Sequence, residues 1–367
     1  MDMKGMCMLL LCLLLTCTPA GAASEELLTK QSEALGLDGL SEAAGEYGPG
    51  ESVAEVDWDQ GLRGILEEGE AAAGGVLRKA VRSSVLLLAV VLLASLAQGT
   101  WEAAGESGWL QAAPMAAAAA ITVIAVSDAN ALIGMGRETL ERMEAFGQVL
   151  LPTMAAATAL SGAPGGAAAR QFAAMLFSNL LLTVINAFLL PLTYGYIAAC
   201  AARAAVGNEG LQRLAGTLRW VVTTVLTALL LTYVGYLTVS GVVAGTADAV
   251  AIKAARFTVS SMVPVVGGIL SDASETVLAG AGILKNAVGV FGMLTILSIC
   301  LVPFLQLGIH YLAYKLTGAL AATVADGRVA GLIDQIGGAF GLVLVMTGAS
   351  ALLLLVSMVS AVSLSSP

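Results

Sequence analysis

Residues 287–309, AVGVFGMLTILSICLVPFLQLGI, hold no charged side chain over a stretch long enough to cross a bilayer, which takes about 20 helical residues. A run of this kind decides the fold class, because in hydrocarbon a single segment satisfies its own backbone only as a helix. Outward from it, comparable stretches recur at 83–99, 111–127, 146–163, 172–194, 220–243 and 336–361. The stretch 146–163 is the weakest, rich in Ala, Thr and Gly and interrupted by Pro152. The chain is 58% hydrophobic and 12% charged, against about 25% charged in soluble domains. The pattern predicts an all-α, polytopic membrane helical bundle, and its 42 glycines suit close helix contact in lipid.

Immediately before the quoted run lies DAVAIKAARFTVSSMVPVVGGILSDASETVLAGAGILKN, residues 248–286. Pro264 removes a backbone donor and Gly267 and Gly268 admit positive φ, so a helix break is expected there. Lys253 and Arg256 are three apart, as are Asp272 and Glu275, so each pair shares a helix face. Lys285 and Asn286 follow one stretch later, and in low dielectric Lys285 is expected to pair with Asp272 or Glu275. The bland alternative is an amphipathic helix at the membrane surface with its charges solvated. The candidate functional residues are therefore Asp248, Lys253, Pro264, Gly267, Gly268, Asp272, Glu275, Lys285 and Asn286.

Prolines hint at an internal duplication. Pro152 and Pro191 are 39 residues apart, as are Pro264 and Pro303, so an offset of 112 superposes the two pairs. Each unit reads as a span, an amphipathic stretch, a proline with small residues, a span ending near proline and a charged loop. Tandem or inverted repeats with broken helices in matching positions are a transporter-like signature.

The N-terminus reads as a signal peptide over residues 1–22, with Lys4, an apolar run from Met6 to Leu15 and Ala20-Gly21-Ala22 as the cleavage site. Residues 23–77 form an acidic extracytoplasmic segment, and 78–367 the multi-spanning membrane domain. Thirteen acidic residues from Glu25 to Glu70 face only Lys30 and Arg63, so the net charge of −9 belongs to this segment. Orientation signals conflict. A cleaved signal places the segment outside, whereas Arg78, Lys79 and Arg82 favour the cytoplasmic side. Of the five cysteines, Cys7, Cys12 and Cys17 fall in the leader, and Cys200 and Cys300 in apolar runs read as packing.

Several chemistries find no support. No P-loop, HExxH motif or nucleophile elbow occurs, so no catalytic residue, metal site or cofactor is predicted. Asp128, Asp248 and Asp272 lack the flanking motif of an intramembrane hydrolase. No basic patch with interleaved aromatics points to nucleic acid. His310, the single histidine, sits beside Tyr311 and Tyr314 and reads as an interfacial residue.

DAVAIKAARF, PVVGGILSDASETVL, LKNAVGV and the later ADGR, with LLPTMAAATALSG and the LLPL at Leu189 to Leu192 upstream, resemble the stage III sporulation protein AE family of endospore formers. The resemblance implies a multi-pass protein of the mother-cell membrane facing the forespore. It further implies a place in a secretion-like channel complex with the other stage III A-operon proteins and, indirectly, the stage II protein Q. The family brings no catalytic residues, so a non-enzymatic subunit, permease-like within that complex, is the leading expectation. An autonomous small-solute transporter and a membrane scaffold without a conduit are the alternatives.

Overall fold

The computed structural model describes residues 20–50, 53, 56–104, 112–161, 165–262, 266–324 and 327–363. They form nine α-helices: α1 (Ala20–Leu35), α2 (Leu37–Ala44), α3 (Trp58–Ala104), α4 (Ala112–Leu160), α5 (Gly165–Val184), α6 (Leu190–Val206), α7 (Glu209–Met262), α8 (Val266–Ala321) and α9 (Gly327–Ser363). A single π-helical turn, Ile185–Leu189, joins α5 to α6 without a break in direction of the helix. Among the described residues, six helical stretches are long and apolar enough to cross a membrane. The chain is thus an all-α polytopic bundle.

Seven apolar stretches fall on six spans because 111–127 and 146–163 belong to one 49-residue helix, α4. The polar interval between them contains good helix formers, and Arg137–Glu141 and Glu138–Arg142 ion pairs brace successive turns at 2.7 Å each. Pro152, expected to break the chain, lies inside α4, and Pro303 lies inside α8. Both are accommodated because a kinked helix packed against neighbours keeps its remaining backbone bonds. Near Pro152, the Thr153 hydroxyl also donates to the Val149 carbonyl at 2.9 Å. Pro264 lies outside the described residues.

α8 and α9 form the centre. In α9 61% of the apolar window is buried, and in α8 50%, against 17% in α3 and in α7. They run antiparallel, and glycines set their spacing. A Cβ on Gly337 would stand 2.9 Å from Tyr314 Cβ, one on Gly341 2.9 Å from the Tyr311 ring, and one on Gly318 3.1 Å from the Asp334 backbone nitrogen. Gly337 and Gly341 are four apart, so α9 presents a small-residue stripe on which two tyrosines of α8 lie.

α4 packs antiparallel on α8, with Gly292 against Leu150 and Asp128 level with Tyr314. α3 runs parallel to α8, placing Gly61 against Leu294, Gly69 against Leu301, and the Ser95 hydroxyl on the Val324 carbonyl at 2.8 Å. α6 and α7 close the other side. They are joined at Gly207, whose φ of 74° caps α6 through its N–H to the Arg203 carbonyl at 2.7 Å. Tyr196 donates to the Gln335 carbonyl at 3.0 Å, and Phe177 stacks on Tyr233 with centroids 5.0 Å apart.

α1 and α2 are not detached from this body. Leu35, Leu37, Leu40 and Ala44 share a buried cluster with Met143, Phe146, Leu150 and Phe291. Arg142 of α4 reaches the turn after α2, binding Glu46 at 3.2 Å and donating to the Tyr47 hydroxyl, its guanidinium lying 5.0 Å from the Tyr47 ring centre. Burial raises the Tyr47 phenol above the ordinary tyrosine range; the Arg142 charge pulls the other way. The acidic stretch after Trp58 continues through residue 77 into the apolar half of α3 as one helix.

Candidate functional site

Two places along α8 bury polar groups that a hydrophobic bundle has no packing reason to hold. On α8 they are anchored at Lys285 and Tyr314, 29 residues or about 44 Å of helix apart.

The first is Lys285. Its side chain is fully buried, and its ammonium has no hydrogen-bond partner among the described residues. Asn286 beside it is exposed. One turn on, Gly289 is buried, and a Cβ there would run into the Val362 side chain, so α9 passes directly over this turn. The other sequence-predicted residues are placed only by backbone. Asp248 and Lys253 lie on α7, and Gly267, Gly268, Asp272 and Glu275 on α8. The side chains of 237–278 lie outside the described residues, and with them the expected pairing of Lys285 with Asp272 or Glu275.

The second place is a three-helix junction that sequence reasoning missed. Asp128 of α4 accepts two hydrogen bonds on one oxygen, from Ser83 Oγ of α3 and from the Tyr314 hydroxyl of α8, each 2.5 Å. Tyr314 is wholly buried and meets Phe340 of α9 edge to face at 5.0 Å. A carboxylate holding two hydroxyls ties three helices together, since hydrogen bonds to a charged group are worth about 1.5–3 kcal/mol each. The junction opens on a cavity of about 410 Å³ whose wall includes Lys79, Arg82, Asp128, Gln306 and His310. His310 is almost buried rather than interfacial. Its Nδ1 lies 2.8 Å from the Gln306 carbonyl, which only accepts, so Nδ1 carries a proton there. Asp128 was legible as an acid within an apolar helical run, but its partners were not.

A smaller polar contact marks the π turn. Asn186 donates to Glu144 at 2.9 Å, while its own carbonyl oxygen is buried without a partner among the described residues. At the far end of α8, Lys315 pairs with Asp334 of α9 at 2.7 Å. That pair is partly exposed, and we expect Lys315→Ala to cost no more than about 1 kcal/mol in a chemical or thermal melt. Among the described residues no group of three or more His, Cys, Asp or Glu is placed to hold a metal ion.

The family model described as Stage III sporulation protein AE matches residues 71–365, from the first third of α3 through α9. The chain belongs to the stage III sporulation protein AE family. A member from Bacillus subtilis (strain 168), named Stage III sporulation protein AE, is 24% identical over 216 residues. That alignment covers 59% of this chain and 54% of the relative, so the chain spans about half the length of the curated relative it matches. No solved structure matches. The family match takes in Asp128, Lys285, His310 and Tyr314, and begins ahead of Lys79 and Arg82.

Proposed function

We propose that this protein acts in endospore formation as a non-enzymatic, multi-pass subunit of the channel complex that joins mother cell to forespore, and that it is the permease-like element of that complex. Membership of the family over residues 71–365 carries the reading. On this reading the chain sits in the mother-cell membrane facing the forespore, with the other stage III A-operon proteins as neighbours and the stage II protein Q as an indirect partner. Ionisable groups held inside a helix bundle are expensive, and they are the usual mark of a path for polar cargo or coupling ions. Lys285, buried without a described partner, and the Asp128 junction are such groups here.

Lys285→Met keeps the length of the side chain and removes the charge. We expect the variant to melt at or above the wild-type temperature, because an apolar replacement of a buried ion is neutral or stabilising. Spore yield after engulfment should fall at least about tenfold, and Asp272→Asn should lower it likewise. Wild-type spore yield from both variants, with the protein present in the membrane, would refute a role for this pair.

The buried ionisable groups also fit an autonomous small-solute transporter. Purified protein in liposomes separates the two readings: solute flux without sister proteins favours the transporter, and flux only on their addition favours the channel subunit.

A further inference from the structure

We propose that the cavity between α3, α4 and α8 is a binding site for the headgroup of an anionic phospholipid whose acyl chains lie along α3. This inference stands apart from the channel reading.

The cations come first. Lys79 and Arg82 both line the cavity, and neither makes an ion pair among the described residues. They share the wall with one carboxylate, Asp128, one oxygen of which is already taken by Ser83 and Tyr314. Two uncommitted cations against a single carboxylate leave a pocket whose unmet demand is for an anion with acceptor oxygens. A phosphate fits that demand. A cavity of about 410 Å³ lies in the range of small-molecule sites.

The source of the phosphate follows from what continues beyond the cations. At 100° per residue, Lys79, Arg82, Leu86, Leu93 and Leu96 fall within an arc of about 100° on α3. Leu86 lines the cavity itself, and Leu86, Leu93 and Leu96 are 47%, 69% and 66% exposed. From Arg82 to Leu96 the helix rises about 21 Å, somewhat more than the ~15 Å of one hydrocarbon leaflet. A cationic pocket at the head of an exposed apolar stripe of that length matches a lipid, with its phosphate in the pocket and its chains on the leucines. A soluble phosphate leaves the stripe unused. Basic pockets between helices at the edge of the hydrocarbon are recognised lipid sites.

The test uses full-length protein purified in neutral detergent and titrated with phosphatidylglycerol or phosphatidylcholine, with bound lipid counted by native mass spectrometry. Wild type should retain phosphatidylglycerol at least about tenfold better than phosphatidylcholine. The double variant Lys79→Gln, Arg82→Gln should lose about thirtyfold in phosphatidylglycerol retention, as two near-surface cations would dictate, while Arg82→Lys stays within about threefold of wild type. Both altered positions are exposed, and a size-exclusion profile matching wild type certifies folding. Arg213→Gln on α7 controls for diffuse charge and should leave retention unchanged. Equal loss in Arg213→Gln, no preference between lipids in wild type, or displacement of the lipid by millimolar inorganic phosphate would each overturn the proposal.

Discussion

Gly337→Leu should unfold the centre of this protein at a markedly lower temperature than wild type. The added Cβ alone would approach Tyr314 Cβ to 2.9 Å and the Lys315 amide nitrogen to 3.4 Å. Neither neighbour is the free end of a flexible chain, so α9 must move away from α8. Tyr314 cannot follow, because its hydroxyl is bound to Asp128 on α4. Overpacking of a tight core costs about 1–3 kcal/mol, and here separation of the helices adds the loss of contact at Gly341 and Gly318. The adjacent Gly338→Ala is the control. Its Cβ would meet the Tyr196 hydroxyl at 3.5 Å and the Arg219 guanidinium at 3.9 Å, both ordinary contacts. A fluorescence-detected melt in detergent decides, and equal midpoints for the two variants would exclude glycine-set spacing at this crossing.

The second large effect is expected at Asp128. Asp128→Ala strips the acceptor from the buried Tyr314 hydroxyl and from Ser83 together, and an orphaned buried donor costs about 1–3 kcal/mol. Tyr314→Phe removes one donor but leaves Asp128 bound to Ser83, so it should cost less. The diagnostic measurement is the double variant. If the bond is real, Asp128→Ala combined with Tyr314→Phe should be milder than the sum of the single changes by about 1 kcal/mol or more, read from melts or denaturant curves. Strict additivity would deny any coupling between the two helices through this contact.

These two sites show why parts of the architecture were legible and others were not. The runs 287–309 and 336–361 announced α8 and α9 by composition alone, because apolar length is a property of one segment. The continuity of α4 was harder to see. Its charged middle, Arg137 to Glu144, reads as an amphipathic stretch separate from the spans until the i,i+4 pairs are placed, and Pro152 looks like a stop until its neighbours are known. Asp128 and Tyr314 are 186 residues apart, so their bond depends on how α4 crosses α8, which no local pattern encodes. The polar stretch 248–286 drew attention by the same local logic, yet of its site residues only Lys285 and Asn286 have described side chains, the first buried and the second exposed. His310 read as interfacial because Tyr311 and Tyr314 flank it. The helix geometry instead turns the imidazole inward, against the Gln306 carbonyl.

One property of α3 carries a mechanical consequence. It passes from Trp58 through the acidic turns to Ala104 in 47 residues without interruption, a rod of about 70 Å. Force applied by any neighbour at Asp59, Glu67 or Glu68 is therefore not absorbed by a hinge. It is passed along the rod to Ser83, where α3 holds the shared carboxylate, with α8 as the rail on which Gly61 and Gly69 lie.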